Sequence, residues 1–171
     1  MLVFSFQFPN REMTAGFILA RRAVKDFREP LNLAADDFEN DMEQQFSREG
    51  RPRWAPLLPS TLLDRARKGY PSGPILVRDG SLKRSLTTKG AEGHIREIHK
   101  TYAVLGTDYR TPDGRYNMAL IHTEGNEHMA ARPVMEVSQA ALKRMMLRIH
   151  QHMQKQLGTA FKGWGYFNWS R

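Results

Sequence analysis

The sequence predicts an α+β fold in which helices pack on a small antiparallel sheet. Apolar side chains recur every three or four positions in several segments, as they do in helices with one buried face. Two short neighbouring segments are instead rich in β-branched and aromatic residues, which is typical of a hairpin. The longest helical pattern lies near the C-terminus, and both ends of the chain carry apolar extensions. Helices that flank a small sheet of this kind define the α+β class.

The N-terminal part is predicted to hold a β arm and two helices. Residues 2–8 carry apolar side chains at every second position, the period of a half-buried strand. Helical spacing then marks residues 13–27, and Pro30 can open a second helix that ends near Gly50. We expect the apolar stripe of this second helix to enter the core. Its acidic residues are expected mostly to face water: Asp36, Asp37, Glu39, Asp41 and Glu43.

Short elements are predicted for the middle of the chain. Several prolines around Trp54 exclude regular secondary structure there. Ser60 or Thr61 is expected to cap a short helix that reaches Lys68, and Ser81 to cap a second short helix.

The second half of the chain is predicted to contain a hairpin, a turn and a long helix. Residues 94–98 and 101–107 are rich in β-forming side chains and are separated by a polar turn. The Thr-Pro-Asp-Gly sequence at 111–114 predicts a surface turn, since proline presets φ and glycine accepts positive φ. Ser138 can cap the last helix and Gly158 can end it.

The 171 residues fit one domain with tails. We divide the chain into an N-terminal arm and helix at 1–29, an α+β domain at 30–157 and an aromatic tail at 158–171. Cysteine is absent, which excludes disulfides and thiolate chemistry and fits a reducing cytoplasm. The apolar N-terminus lacks the basic leader of a signal peptide, and we find no apolar run long enough to span a membrane. A soluble protein is therefore expected.

The charge of the chain is positive and unevenly distributed. The net charge is +8, yet the first 50 residues are mildly acidic and no acidic residue follows Glu136. A basic surface can meet nucleic acid or an acidic protein partner. The basic last helix and its aromatic tail favour a protein interface, because aromatics anchor interfaces and charge alone gives nonspecific affinity. A basic nucleic-acid-binding module is the alternative function.

Candidate chemistry is confined to one cluster of ionisable residues. His122, Glu124, Glu127 and His128 lie within seven residues, but an interval of six does not bring the two histidines together on a helix. Gly125 favours a polar loop over a metal site. The chain has no Gly-x-Ser-x-Gly nucleophile motif and no glycine-rich phosphate loop. We therefore expect no catalytic residue, no metal and no cofactor.

Several short motifs follow one another in a set order. The chain reads Trp-x-Pro-Leu from Trp54, Ile-Leu-x-x-x-Gly-x-Leu-x-x-Ser from Ile75, Ala-x-Ile-His-x-x-Gly from Ala119, and then Arg132-Pro133. This order resembles the phage virion morphogenesis family, the Mu-like tail completion proteins, over about residues 30–145. Two positions depart from the family pattern, since Met118 replaces a tyrosine and Val134 replaces a phenylalanine. The resemblance marks a set of structural residues: Trp54, Pro56, Leu57, Thr61, Leu76, Gly80, Leu82, Ser85, Gly106, Ala119, His122, Gly125, Arg132 and Pro133.

The resemblance implies a non-enzymatic virion protein that completes a phage tail and joins it to the head at the neck. Such proteins are expected to form a ring around the DNA channel, with a hexamer as the expected order. The implied partners are a tail terminator or tail tube protein on one side and head completion or connector proteins on the other. DNA would pass through without sequence-specific binding. Assembly would take place in the bacterial host cytoplasm, with no membrane involved.

The two apolar ends fall outside the resemblance. Neither end has an evident cover of its own, and apolar extensions of this kind commonly bind neighbouring subunits. We therefore expect their aromatic side chains to contact other copies or partner proteins: Phe4, Phe6, Phe8, Phe161, Trp164, Tyr166, Phe167 and Trp169.

Overall fold

The computed structural model describes residues 2–5 and 26–157, and this part of the chain has the expected α+β architecture. The predicted helix at 13–27 and the aromatic tail fall almost entirely outside the described residues. The division of the chain at residues 30 and 158 stays a prediction. In chain order the elements are β1 (Leu2–Ser5), α1 (Arg28–Ser47), α2 (Pro59–Arg67), α3 (Ser81–Thr87), β2 (His94–Ile98), β3 (Ala103–Thr107), α4 (Met118–Glu124) and α5 (Gln139–Leu157).

The sheet is built on the predicted hairpin. Strands β2 and β3 are antiparallel, with Arg96 opposite Leu105, and His99 N donates to the Tyr102 carbonyl across the turn at 2.9 Å. Strand β1 pairs antiparallel with the other edge of β3, which gives the order β1-β3-β2. Part of the predicted N-terminal arm is therefore a strand of the chain's own sheet, and residues 6–8 lie outside the described range.

The core lies between α1, α5 and the sheet. The stripe predicted on α1 is buried, because this helix turns one face toward the interior. Of the stripe predicted on α5, Met145, Ile149 and Met153 are buried, whereas Leu142 is half-buried and Met146 is 38% exposed. Leu86 and Trp54 complete this core from α3 and from the segment that follows α1. The buried apolar side chains of the two helices are Leu31, Ala34, Ala35, Phe38, Met42, Phe46, Ala141, Met145, Ile149 and Met153.

The acidic face of α1 does not face water as predicted. Asp37, Glu39 and Asp41 are all buried, and Asp41 is only 1% exposed. The prediction is wrong because α1 is covered on more than one side, with α5 on one side and α3 and the sheet on others. Asp36 is half-buried and Glu43 stays exposed.

Each buried carboxylate of α1 meets basic groups from distant parts of the chain. Glu39 Oε1 lies 2.6 Å from Arg96 Nη1 on β2. Asp37 lies 3.5 Å from Arg144 Nε and 3.2 Å from Arg148 Nε on α5. A buried carboxylate is tolerated only when charge and hydrogen bonds compensate its lost hydration. The acidic front of the sequence is thus partly neutralised by its own basic second half.

Asp41 has the most complete set of partners. Its Oδ2 accepts from Arg51 Nη2 at 2.7 Å and from the Ser138 backbone N–H at 2.8 Å, while its Oδ1 accepts from the Ser138 hydroxyl at 2.6 Å. Ser138 Oγ in turn accepts from Ala141 N at 3.0 Å, which confirms the predicted cap of α5. Asp41 therefore fixes the start of α5 against the middle of α1.

The two short helices begin differently from the prediction. Helix α2 starts at Pro59 with Leu58 in the cap position, not with Ser60 or Thr61, because proline at the first helical position is already preset for the helix. Helix α3 starts at Ser81 itself, after Gly80 at φ 79°. That left-handed conformation strains other residues but not glycine.

Candidate functional site

The first and last of the ordered motifs, at Trp54 and at Arg132-Pro133, meet in space. Trp54 is 4% exposed, its ring packs edge-on against Phe46 with centroids 5.5 Å apart, and its Nε1 donates to the Pro133 carbonyl at 2.9 Å. Gln45 Nε2 donates to the same carbonyl at 3.0 Å. The end of α1 is thereby joined to a segment 88 residues further on.

Arg132 closes the same junction from the other side. Its Nε donates to the Ala55 carbonyl at 3.0 Å and its Nη2 to the Pro56 carbonyl at 3.2 Å. Its backbone N–H donates to the His122 carbonyl at 2.6 Å. The buried guanidinium is satisfied by main-chain oxygens, which hold the irregular 51–58 segment in place. We call Gln45, Phe46, Trp54, Arg132 and Pro133 the clasp.

Two glycines make the clasp sterically possible. Gly50 has φ 100°, and a Cβ there would lie 2.5 Å from Trp54 Cδ1. Gly125 has φ 66°, and a Cβ there would lie 2.6 Å from Ala131 N. Real Cβ atoms do not approach other atoms so closely, so both positions need the missing side chain as well as the positive φ.

A second group of motif residues forms a buried polar chain. The Thr107 hydroxyl donates to Ser85 Oγ at 2.8 Å, and the Ser85 hydroxyl donates to the Leu82 carbonyl at 2.8 Å. Asn117 Nδ2 donates to the Thr107 carbonyl at 2.9 Å, and its Oδ1 accepts from Leu120 N at 3.0 Å. These bonds tie α3, β3 and the start of α4 together. Ser85 and Thr107 are fully buried, so their hydroxyls serve packing.

The remaining motif residues are divided between core and surface. Leu76, Leu82, Gly106 and Ala119 are buried. Leu57 is half-buried. Pro56, just before α2, and Thr61, in the first turn of α2, are exposed.

His122 is not in a loop, contrary to the prediction, but on α4. Asn117 caps this helix and Gly125 ends it, so the polar cluster is divided between a helix and the turn that follows. Burial, followed by the nearby Arg132 charge, lowers the pKa of His122 to about 4, and its Nδ1 is buried without a partner. Glu124, Glu127 and His128 are exposed. Among the described residues, no group of three or more His, Asp or Glu side chains is arranged to hold a metal ion.

Sequence reasoning missed Asn117, Gln45 and the partners of Asp41. Asn117 had a usable signal, because asparagine is a preferred N-cap residue and Gly125 can end the helix that follows. Gln45 and Asp41 had none, since they bond to residues 88 and 97 positions away.

The clasp joins distant motifs of one α+β domain through bonds to main-chain groups. The model of the phage virion morphogenesis family matches residues 11–154, and the chain belongs to this family. No curated protein and no solved structure matches the chain. The family assigns the protein to the phage virion, among other virion proteins. Within the described ranges, no helix has the length and apolar character needed to cross a membrane.

Proposed function

We propose that this protein completes the tail of a tailed bacteriophage and joins it to the head at the neck. In this proposal several copies, six by expectation, form a ring around the DNA channel. One side of the ring docks on a tail terminator or tail tube protein, and the other on head completion or connector proteins. The family match over residues 11–154 is the observation that carries the proposal.

The geometry of the motif residues supports a scaffold role. Trp54 and Arg132 are buried and bonded to main-chain carbonyls of other segments. Such bonds hold irregular segments in one geometry, because breaking any of them leaves a buried polar group unsatisfied. A ring subunit needs this rigidity, since small errors in the angle between neighbours accumulate and prevent closure.

The distribution of charge favours protein docking over nucleic-acid binding. Several arginines pair with carboxylates of the same chain and are not free for phosphates. They are Arg51, Arg96, Arg144 and Arg148. In the proposal the remaining positive surface meets acidic partner subunits, and DNA slides past without sequence-specific contacts.

The decisive experiment is electron microscopy of particles produced without this protein. We expect filled heads without tails beside free tails, and rescue when the protein is supplied. Complete virions in its absence would contradict the proposal. Salt-sensitive binding to short DNA, with a slope reflecting several phosphate contacts, would instead favour the nucleic-acid-binding module.

The apolar ends are part of the same proposal. The aromatic side chains at 161–169 contact partners or neighbouring copies, and removal of residues 159–171 should weaken assembly while the far-UV circular dichroism stays unchanged. Completion of virions by the truncated chain would contradict this assignment. Phe4, Phe6 and Phe8 have the same proposed role, with the backbone of residues 2–5 held in the sheet.

A further inference from the structure

Helix α2 presents an uncovered apolar face. Pro59, Leu62, Leu63 and Ala66 have the i, i+3, i+4, i+7 spacing that places side chains on one side of a helix. All four are exposed, Leu62 by 37% and Leu63 by 60%, and the preceding Leu58 is 57% exposed. An apolar stripe of this kind is how an amphipathic helix enters a groove on another protein.

The helix is nevertheless held in a fixed orientation. Arg65 of the same helix is buried, and its Nη1 donates to the Pro74 carbonyl at 3.2 Å and lies 3.4 Å from the Pro71 carbonyl. Tyr70 N donates to the Arg65 carbonyl at 2.8 Å. A nine-residue helix is unstable by itself in water, so these bonds preorganise the apolar face.

The helix carries one exposed ion pair, between Asp64 and Lys68 at 2.9 Å, and its unpaired exposed charge is basic. Arg67 follows Leu63 by one turn and has no carboxylate partner among the described residues. Arg78 stacks over the Tyr70 ring at 5.1 Å, and its Nη2 lies 4.0 Å from Asp79 Oδ2. The covering surface should therefore be apolar with an acidic rim. The segments of this chain outside the described ranges do not fit, because basic residues outnumber acidic ones both in 6–25 and in 158–171.

One segment of the same chain has the required chemistry. Glu124, Glu127 and Glu136 are exposed and have no ion-pair partner within the described part of the chain. Between them lie the exposed Ala130 and Ala131. Two backbone bonds between Asn126 and Met129, of 2.8 and 3.1 Å, give this 124–136 segment a defined shape.

We propose that α2 of one copy docks on the 124–136 segment of a second copy. The two surfaces are complementary in charge, and α2 remains uncovered by the 124–136 segment of its own copy. The clasp lies between them, since Arg132 bonds to the residues that lead into α2. A contact between different surfaces of identical copies is heterologous and can close into a ring. This contact rests on the proposed ring assembly, in which α2 and the 124–136 segment would be the two surfaces that neighbouring copies bring together.

Cysteine cross-linking tests this contact directly, because the chain has no cysteine of its own. Two variants, Leu63→Cys and Ala130→Cys, are purified as full chains, mixed and oxidised. We expect a cross-linked dimer that contains one of each variant. A mixture of Leu63→Cys with Leu147→Cys is the matched control, since Leu147 is 51% exposed on α5. Equal cross-linking in both mixtures, or none in the first, would overturn the proposal.

Sedimentation of full-length variants supplies the second measurement. Leu62→Ser with Leu63→Ser should weaken self-association by roughly 100-fold or more, because two apolar side chains lose their burial. Glu124→Lys with Glu127→Lys should also weaken it, and adding Arg67→Glu should restore part of the loss. Unchanged association of the leucine variant would overturn the docking site but leave the neck assignment standing. Complete virions without the protein would instead remove the neck assignment alone.

Discussion

The clasp and helix α2 are neighbours in the sequence but opposite in environment. Trp54 is buried against Phe46 and hydrogen-bonded to Pro133, whereas Leu58 and Leu63, only a few residues later, are exposed. In the clasp, the apolar side chains are buried and the polar groups form hydrogen bonds inside the subunit. Helix α2 is held through the buried Arg65 and leaves its apolar groups outside. This contrast separates residues that maintain the fold from residues available for assembly. Substitutions in the clasp should lower the free energy of unfolding, whereas substitutions on the exposed face of α2 should leave it nearly unchanged.

The largest difference is expected between Trp54 and Leu63. Trp54→Ala should lower the free energy of unfolding by about 3–5 kcal/mol, because it leaves a cavity and removes the bond to the Pro133 carbonyl. Leu63→Ala should change it by less than about 0.5 kcal/mol, because the side chain is exposed. Urea denaturation followed by circular dichroism measures both. Equal effects would contradict the division between the two regions.

The next contrast is between two aspartates. Asp41→Ala leaves Arg51 and Ser138 without a buried partner and should cost about 2–4 kcal/mol. Asp64→Ala breaks an exposed ion pair to Lys68 of 2.9 Å on α2 and should cost less than about 0.5 kcal/mol. Thermal unfolding of both variants distinguishes them. A similar loss in each would show that Asp41 is not a structural link.

The clasp should also be sensitive to pH through His122. Its folded pKa is about 4 and its ordinary value 6.5, so below pH 6.5 the unfolded chain binds a proton that the folded chain does not. His122 should therefore reduce stability by about 2 kcal/mol between pH 7 and pH 5, and by about 3 kcal/mol in total once the pH has fallen below the folded pKa. Denaturation at several pH values measures this slope. His122→Asn should flatten it, and an unchanged slope would contradict the assignment.

The smallest contrast compares two glycines at positive φ. Gly50→Ala places a methyl group against the Trp54 ring, whereas Gly69→Ala, just after α2, meets nothing within 4 Å. Both substitutions carry backbone strain, so their difference isolates the steric overlap. Gly50→Ala should be more destabilising than Gly69→Ala by about 1–3 kcal/mol. Indistinguishable melting temperatures would show that the 48–54 segment can relax.

Local patterns predicted α1, α5 and the hairpin correctly, whereas the predicted helix at 13–27 lies almost entirely outside the described residues. The apolar residues of α1 and α5 repeat with the helical period. At 94–107, β-branched residues on both sides of a polar turn favour a hairpin over a helix. The prediction failed where local signals competed. Pro59 starts α2 ahead of the predicted caps Ser60 and Thr61, and an N-cap at Asn117 converts the predicted loop around His122 into α4.

The environment of the charged residues could not be predicted in the same way. The spacing of the acids on α1 is that of a solvated face, and nothing near Asp41 in the sequence indicates Ser138, which lies 97 residues away. Likewise the leucines of α2 have the spacing of core residues but are exposed. Periodicity shows that a helix has an apolar face without showing what covers that face.

By itself, the sequence determined the α+β class, the main helices, the hairpin and the order of motifs by which the family could be anticipated. Only the tertiary structure decided that Trp54 and Arg132 belong to one clasp, that the acids of α1 are buried, and that α2 is uncovered. The physical reason is that helical and strand preferences depend on residues a few positions apart. Burial and ion pairing depend on segments that meet only after the whole chain has folded.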